Sequence, residues 1–368
     1  MILAQIRAQS QGNTTLGKYI RAHLAAKAKH GYLPFATGCW DVPTWATRLM
    51  PYMKHPNFRL FDTWESIPDN IVLGSVMEAN RNHWKYLTIS QPNTHFYLGG
   101  YCQPIGGPNV TWFDTIEGGI ATIAYLQGEP RPKIYNSRAY PRNGPVLNGV
   151  RLQLSTGCNH QCTFCTVPHP AVKNSISSIY DQLMPLYSRE VGVVYMDDKT
   201  FGQCDWDYIA TINDWIHPAG FVVQTTATQI VKMGMDTMRE WQRMGVIAVE
   251  IGVESYNNSI LRIYRKPATE SLIDVATHMV ARAGMLVCPN IIVGLDGEAP
   301  DTYDQTSDWM KRVPNLGWFN MFCLADYESS GQDASEETPI KSWQSPAAQV
   351  YAGYGFQRLY DTAIASMS

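Results

Sequence analysis

The sequence lacks the features that mark membrane and secreted proteins. No run of 18 apolar residues occurs among its 368 residues, so no transmembrane helix is expected. The N-terminus lacks the compact apolar stretch of a secretory signal. Five of the eight cysteines stand isolated, whereas a disulfide-bonded secreted scaffold is short and dense in cysteine. These absences favour a folded, cytoplasmic protein with no membrane partner.

Acidic residues are scarce in the first part of the chain. Asp41 is the only one among the first 59 residues, which hold eight Lys and Arg. Residues 1–145 carry a net charge of +6 and residues 146–368 a net charge of −9. A solvated basic face explains this, and a surface for RNA or for an acidic partner is the alternative. A third interpretation is an organelle transit segment in the acid-free residues 1–30.

The second half of the sequence alternates between strand and helix patterns. Alternation of this kind predicts parallel βα units, and six units are too few for a closed eight-stranded barrel. We therefore predict an open, partial (βα)6 barrel of the TIM type. The predicted strands cover residues 150–156, 191–198, 221–226, 246–255, 285–295 and 317–324. The predicted helices cover residues 175–189, 205–216, 235–243, 258–264, 269–284 and 300–313.

The residues best suited to chemistry follow the ends of the predicted strands. In parallel βα arrays the carboxyl ends of the strands form the active face, so these residues are expected on one rim. They are the C-x3-C-x2-C triplet Cys158, Cys162 and Cys165 after the first strand, Asp197 and Asp198 at the second, Thr226 at the third, Glu254 and Ser255 at the fourth, and Gly294–Glu298 at the fifth. Taken alone, the triplet could also hold structural zinc, with His160 or His169 as the fourth ligand.

The triplet, with Phe164 just before its last cysteine, resembles the radical S-adenosylmethionine (SAM) superfamily. The segments "VEIGVES", "ILRIYRKPATESL" and "NIIVGLDGE" resemble its fourth- and fifth-strand regions, so the resemblance covers about residues 150–325. It implies a [4Fe–4S] cluster held by the three cysteines, whose fourth iron is chelated by SAM. In that family, reductive cleavage of SAM gives methionine and a 5′-deoxyadenosyl radical. A reducing partner such as flavodoxin or ferredoxin is implied.

The same resemblance assigns SAM contacts to the strand ends. In the family, the end of the second strand contacts the methionine amino group, and here "MDDKTF" offers Asp197 or Asp198. Strand alternation places these two on opposite sides. We expect Asp198 to face the barrel interior together with Val194 and Met196, and Asp197 to face the helices together with Tyr195.

The remaining cofactor contacts are implied in the same way. Phe164 is expected beside the cofactors, Glu254 or Ser255 at the methionine carboxylate or the ribose, and Ile292 and Gly294 beneath the adenine. Plain structural roles are the alternatives: Asp198 could cap the following segment, Glu254 could pair with Arg265 or Lys266, and Gly294 could serve a tight turn.

The first third of the sequence resembles a cobalamin-binding-type domain. "VTWFDTIEGGIATIAYL" is similar to the end of such a Rossmann-like domain, and Gly99, Gly100, Gly118 and Gly119 lie where it places its turns. No Asp-x-His-x-x-Gly signature occurs, so a histidine ligand to cobalamin is not expected. Either cobalamin binds without a protein ligand or the domain has lost it. A basic helix is predicted over residues 14–31.

These patterns predict an α/β protein in which a smaller Rossmann-like domain precedes the partial barrel. The expected boundaries are residues 1–128 for the Rossmann-like domain, 129–149 for a linker, 150–328 for the radical SAM core and 329–368 for a tail whose helix covers the open side of the barrel.

The expected function is radical SAM chemistry, such as methyl transfer, on an unidentified substrate. One alternative is a methylthiotransferase-like modifier of RNA or protein. That group carries three further N-terminal cysteines, and this N-terminal half has only Cys39 and Cys102. A non-catalytic iron–sulfur electron carrier or regulator is the other alternative.

Overall fold

The structure described is a computed structural model of the chain. The residues it describes are 1–6, 15–30, 44–55, 57–61, 65–76, 78–100, 104–130, 132, 146–165, 167–187, 190–204, 206–323 and 346–368. Most of the predicted linker lies outside these residues, as do Cys39, Cys102 and the segment before the tail helix. The predicted domain boundaries therefore stay predictions.

The N-terminal part is a five-stranded parallel sheet with helices, as a Rossmann-like fold requires. The strand order is β2-β1-β3-β4-β5. The apolar core of this sheet includes Ile2, Val72, Trp84 and Phe96, all buried. Its strands are β1 (Ile2–Ile6), β2 (Phe58–Phe61), β3 (Ile71–Val76), β4 (His95–Gly100) and β5 (Val110–Trp112), and its helices are α1 (Thr15–Lys29), α2 (Thr44–Leu49), α3 (Glu78–Ser90) and α4 (Ile116–Leu126).

The second part is a six-stranded parallel sheet, which confirms the predicted partial barrel. Its order, β13-β12-β11-β10-β9-β6, joins each strand to the next in the sequence, as repeated βα units demand. The strands are β6 (Val146–Leu152), β9 (Glu190–Met196), β10 (Gly220–Thr226), β11 (Val246–Glu254), β12 (Leu286–Val293) and β13 (Asn320–Cys323). A small antiparallel hairpin of β7 (Ser155–Thr156) and β8 (Val172–Lys173) flanks the cysteine triplet.

The helices of the barrel follow the predicted positions, with one difference. α7 begins at Ala227, eight residues before the predicted start, and Gly234 breaks it with a positive φ of 82°. The predicted helix is therefore the half of α7 that follows this kink. The full set is α5 (Ile176–Leu183), α6 (Tyr208–Ile216), α7 (Ala227–Arg243), α8 (Asn258–Ile263), α9 (Glu270–Arg282), α10 (Pro300–Met310) and α11 (Pro346–Met367).

The barrel sheet has one apolar face and one polar face. The apolar face carries side chains that are completely buried, among them Val194, Met196, Val223, Val249, Ile251, Val287 and Val293. The helices of the barrel bury matching apolar side chains, such as Ile212, Trp241 and Val280. This face therefore packs against the helices.

Polar side chains occupy the other face and bond across it. Tyr195 Oη donates to Glu250 Oε2 at 2.5 Å, and Asn320 Nδ2 donates to Asn290 Oδ1 at 2.8 Å. On the same face Thr226 lies 3.2 Å from the ring of His160, which belongs to the cysteine loop. This polar face is therefore the barrel interior, and the cysteine loop lies over it.

Two helices from opposite ends of the chain pack together beside β13. α11 contacts α10 and α1. From α1, Tyr19 Oη donates to the carbonyl oxygen of Phe319 at 2.8 Å, and the Lys27 ammonium lies 5.1 Å from the centre of the Trp318 ring. Burial lowers the pKa of Lys27 to about 8. Lys27 is thus unavailable to RNA, whereas Arg21 and Lys29 on the same helix are exposed. No helix among the described residues is long and apolar enough to cross a membrane.

Candidate cofactor site at the strand ends

The cysteine loop is fixed by backbone hydrogen bonds around Cys158. Its amide donates to the carbonyl oxygen of Pro168 at 2.9 Å, and its own carbonyl accepts from His169 Nδ1 at 2.9 Å. Gly157 precedes it with a φ of +78°, and a Cβ at this position would lie 2.5 Å from the carbonyl oxygen of Pro170. Only glycine therefore fits at the entry to the loop.

The three thiols differ in burial and in their hydrogen bonds. Cys158 and Cys162 are half-buried, and Cys165 is exposed. The amide of His160 donates to Cys158 Sγ at 3.3 Å, and Thr200 Oγ1 lies 3.2 Å from the same sulfur. Hydrogen bonds of this kind to ligating sulfurs tune iron–sulfur clusters.

The donor set suits a cluster better than a single ion. Among the described residues, no three His, Cys, Asp or Glu side chains converge on one metal ion. In a [4Fe–4S] cube each thiolate binds its own iron, so the sulfurs stand apart. His160 and His169, the two candidates for a zinc ligand, instead bond with Thr226 and with the Cys158 carbonyl.

A buried ion pair lies beside the cysteines. Lys266 Nζ donates to Glu254 Oε1 at 2.7 Å, and the two side chains are only 5% and 12% exposed. Burial opposes the charge of Lys266, but Glu254, followed by Cys162, raises its pKa above the ordinary value. Of the two partners weighed for Glu254, the structure thus selects Lys266. The pairing was one of two alternatives expected from the sequence, but the burial of Lys266 was not predicted.

The backbone around this pair is unusual. Glu254 has a φ of +67°, in the left-handed region that non-glycine residues seldom adopt. A Cβ on Gly252 would lie 2.7 Å from Glu254 Oε1 and 2.9 Å from Lys266 Nζ. The end of β11 is therefore shaped to bring the carboxylate and the ammonium together, and such strain is often found at functional sites.

The expected facing of the two aspartates is wrong. Asp198 does lie on the side of Val194 and Met196, but that side packs against helices. It is 2% exposed and accepts hydrogen bonds from the Leu154 amide at 3.0 Å and from the Ser155 hydroxyl. Burial raises the pKa of its carboxyl to about 6. Asp198 thus anchors the segment that leads into the cysteine loop.

Asp197 is the aspartate on the interior face. It forms an ion pair with Arg151, whose guanidinium lies 4.6 Å from the centre of the Tyr195 ring. The prediction failed because β9 is apolar on both faces over most of its length, so alternation alone did not reveal which face meets the helices. Tyr195 was expected to face the helices and also points into the barrel.

The residues expected near the adenine and ribose divide into two groups. Ile292 belongs to an apolar cluster with Tyr264 and Phe164, and the rings of Phe164 and Tyr264 meet edge to face with centres 5.6 Å apart. Ser255, in contrast, is completely buried and lies 3.5 Å from Thr306 of α10. Ser255 therefore faces the helix layer, whereas Ile292 and Phe164 stay beside the cysteine loop.

Glu298 holds the turn after β12; its position at the end of the fifth strand was expected, but this role was not. Its Oε2 accepts from the amides of Gly294 at 3.2 Å and Leu295 at 3.1 Å. Gly294 has a φ of +90°, which favours glycine here. Burial raises the pKa of Glu298 to about 8. The "GLDGE" spacing, with its acid four residues after Gly294, was the only available signal.

A cavity of about 340 Å³ opens at the carboxyl ends of β3 and β4 in the Rossmann-like part. Gly74, Ser75, Gly99 and Gly100 line it, together with the first turn of α4. Thr115 caps that helix, since its Oγ1 accepts from the Gly118 amide at 3.1 Å. The four glycines expected in turns lie within elements instead: Gly99 and Gly100 end β4 and line the cavity, whereas Gly118 and Gly119 lie in the first turns of α4.

A family model matches most of the barrel. Residues 152–310 match the model of the radical SAM superfamily. The tRNA-2-methylthio-N(6)-dimethylallyladenosine synthase of Desulfotalea psychrophila is 23% identical over 201 residues, which cover 50% of this chain and 44% of that protein. The chain spans about half the length of the curated relatives it matches.

Two solved structures share the fold over most of the chain. The cobalamin-dependent SAM radical enzyme OxsB, with aqua-cobalamin bound, aligns with a TM-score of 0.50 and 14% identity, covering 99% of this chain and 55% of OxsB. The radical SAM methyltransferase TsrM of Kitasatospora setae, with cobalamin and a [4Fe–4S] cluster bound, aligns with a TM-score of 0.50 and 10% identity, covering 88% and 74%. At these identities the likeness concerns the fold alone.

Proposed function

We propose that this chain, whose residues 152–310 are a radical SAM domain, is an enzyme that cleaves SAM reductively and starts radical chemistry on a polar substrate. The observation that carries the proposal is the placement of the cysteine loop over the polar interior of the barrel, beside the buried pair of Lys266 and Glu254.

Cys158, Cys162 and Cys165 would hold a [4Fe–4S] cluster, one thiolate to each of three irons. When bound, the reduced cluster supplies one electron to SAM, whose carbon–sulfur bond breaks to give methionine and a 5′-deoxyadenosyl radical. The protein fixes the loop through the hydrogen bonds of Cys158 and keeps Cys162 partly shielded from water.

The SAM molecule would be oriented by charge at one end and by apolar contact at the other. The ammonium of Lys266 would attract the methionine carboxylate, and Asp197 would accept a hydrogen bond from the amino group. Ile292 and Phe164 supply the apolar surface for the adenine. Glu298 positions the turn at Gly294, which lets the backbone approach closely.

The substrate would enter the polar barrel interior. Arg151 and Asp197 stand at the strand ends with side chains 28% and 13% exposed, and Glu250 and Asn290 lie deeper. These groups already bond with one another or with neighbouring side chains, but an apolar ligand would remove them further from water and offer them no hydrogen bonds in return, which is costly. The interior therefore favours a substrate that forms hydrogen bonds over a lipid.

Cobalamin is the second cofactor that we propose, held by the Rossmann-like part. The glycine-lined cavity at β3 and β4 has room for the nucleotide end of that molecule, and the first turn of α4 offers backbone amides to its phosphate. Methyl transfer is the reaction that cobalamin would support. Because the histidine signature is absent, spectra of the protein with bound hydroxocobalamin should show no histidine nitrogen on cobalt. Histidine coordination would show that the expected absence of a histidine ligand to cobalt is wrong.

A methylthiotransferase is the second candidate function, because a protein of that kind is among the relatives that match the barrel. Those enzymes use a second iron–sulfur cluster. Iron and sulfide analysis of the anaerobically purified protein separates the two candidates, since one cluster per chain supports the first proposal and two support the second. A non-catalytic carrier would hold the cluster without consuming SAM.

Cysteine variants test the proposed cluster. Cys158→Ala, Cys162→Ala and Cys165→Ala should each lose the visible absorbance of the reconstituted cluster. Cys204→Ala is the matched control, since Cys204 is also half-buried but lies outside the loop. Loss of absorbance in Cys204→Ala with retention in Cys158→Ala would show that the ligand assignment is wrong.

A further inference from the structure

A tight turn follows β9 and lies against the cysteine loop. It covers residues 200–203, and the Gln203 amide closes it by donating to the carbonyl oxygen of Thr200 at 3.3 Å. Gly202 has a φ of +95°, in the region that favours glycine. The hydroxyl of Thr200 lies 3.2 Å from Cys158 Sγ, and Thr200 is only 2% exposed. The turn thus brings a buried hydroxyl to one of the three loop sulfurs.

The barrel holds this turn in place from two sides. The amide of Phe201 donates to the carbonyl oxygen of Gln224 on β10 at 2.7 Å. The carbonyl oxygen of Phe201 accepts from Thr225 Oγ1 at 2.8 Å. That of Gly202 accepts from Gln229 Nε2 on α7 at 2.8 Å. The contact with the sulfur is therefore positioned by β10 and α7, which belong to the body of the barrel.

The segment after β9 also meets the cysteine loop on both sides of this contact. Gln203 Oε1 accepts a hydrogen bond from the amide of Asn159 at 3.0 Å. Asp198, just before the turn, anchors the residues that lead into the loop. These contacts lie before and after the first ligand along the backbone, so they keep the Thr200 hydroxyl and Cys158 Sγ together.

The direction of the hydrogen bond follows from the chemistry of the ligand. A cysteine that binds iron is a thiolate and has no proton to donate. Thr200 must therefore donate, and among the described residues its hydroxyl has no other acceptor. A hydrogen bond is stronger when its acceptor carries more negative charge, and reduction adds an electron to the cluster and its sulfurs.

We propose that Thr200 raises the reduction potential of the cluster by donating a hydrogen bond to the Cys158 thiolate. The inference rests on the proposed function, in which the three thiolates hold the cluster and one electron starts each cleavage of SAM. The bond stabilises the reduced cluster more than the oxidised one, so a weaker reductant suffices. Potentials of such clusters depend on hydrogen bonds to their sulfurs. Thr200 is thus a positioning residue, since it acts through Cys158.

Variants that add or remove only the hydroxyl test this proposal. Thr200→Val removes the hydroxyl and keeps the shape of the side chain, Thr200→Ala also lacks it, and Thr200→Ser keeps it. The matched control is Thr225→Val, which removes an equally buried hydroxyl that supports the same turn without touching a sulfur. Each anaerobically reconstituted protein is titrated with dithionite in the presence of redox mediators. The electron paramagnetic resonance signal of the reduced cluster reports the potential.

The clusters of Thr200→Val and Thr200→Ala should be about tenfold harder to reduce, which for a one-electron couple is a fall in potential of about 59 mV. Thr200→Ser and the control should match the parent. Equal potentials in the parent and Thr200→Val, or an equal fall in the control, would overturn the proposal. So would loss of the cluster from both variants that lack the hydroxyl, because the hydroxyl would then serve assembly.

The potential is measured without SAM, so this test is separate from that of the proposed function. A parent that holds the cluster but releases no 5′-deoxyadenosine from SAM would refute the proposed function and leave the role of Thr200 standing.

Discussion

Lys266 donates a hydrogen bond of 2.7 Å to Glu254, and both charges are almost completely removed from water beside the cysteine loop. A buried pair of this kind is seldom a net source of stability, because the cost of removing both charges from water offsets their attraction. We infer that its value lies in presenting a fixed cation at the strand ends, where an anionic end of SAM would bind.

Breaking this pair should destabilise the fold. Lys266→Met leaves the Glu254 carboxylate buried without its partner, which typically costs about 3–5 kcal/mol. The double variant Lys266→Met/Glu254→Leu removes both charges and should recover part of the loss. Urea unfolding of the parent and both variants measures this. If the free energy of unfolding of Lys266→Met lies within about 1 kcal/mol of that of the parent, water must reach the Glu254 carboxylate.

The two adjacent aspartates should differ in what they support. Asp198→Ala removes the acceptor for the Leu154 amide and the Ser155 hydroxyl, so it should lower the free energy of unfolding by about 1–3 kcal/mol. Asp197→Ala breaks the pair with Arg151, which is 28% exposed, so it should cost no more than about 1 kcal/mol of stability, and it should weaken SAM binding by about 1–3 kcal/mol. Urea unfolding and calorimetric titration separate these effects. The opposite pattern would restore the facing first expected from strand alternation.

The sequence predicted the barrel well because each of its strands carries a clear pattern. The cysteine triplet and the segment "VEIGVES" could be placed at strand ends without coordinates. The facing of Asp197 could not, because Val191 and Val193 are as apolar as Val194 and Met196. Only the helices that pack on one side distinguish the two faces.

Contacts between residues far apart in the sequence could not be predicted either, because they too depend on how the elements pack. α1 was predicted as a basic helix, but nothing in its sequence says that Lys27 lies over Trp318, almost 300 residues away. The burial of Glu298 depends on Tyr303 and on the turn amides that surround it. Local patterns predict elements, whereas partners of buried charges depend on how distant elements pack.

Glu298 should make stability depend on pH. Burial raises the pKa of its carboxyl from 4.5 to about 8, so the folded protein holds this proton more tightly than the unfolded chain. The contribution of Glu298 to the free energy of unfolding is therefore fully present below about pH 4.5 and is lost as the pH rises through 8. Glu298→Gln should remove the part of the stability loss at high pH that comes from this carboxyl. Thermal unfolding of both proteins between pH 5 and 9, at about one-unit steps, measures it; parallel profiles would contradict the assignment.

The central claim is that the cysteine loop serves SAM cleavage. The direct measurement is the amount of 5′-deoxyadenosine released by anaerobically reconstituted protein given dithionite and SAM, beside Cys158→Ala treated in the same way. The parent should release 5′-deoxyadenosine and the variant should release none. A parent that assembles the cluster and releases no 5′-deoxyadenosine, or a variant that releases as much as the parent, would contradict it.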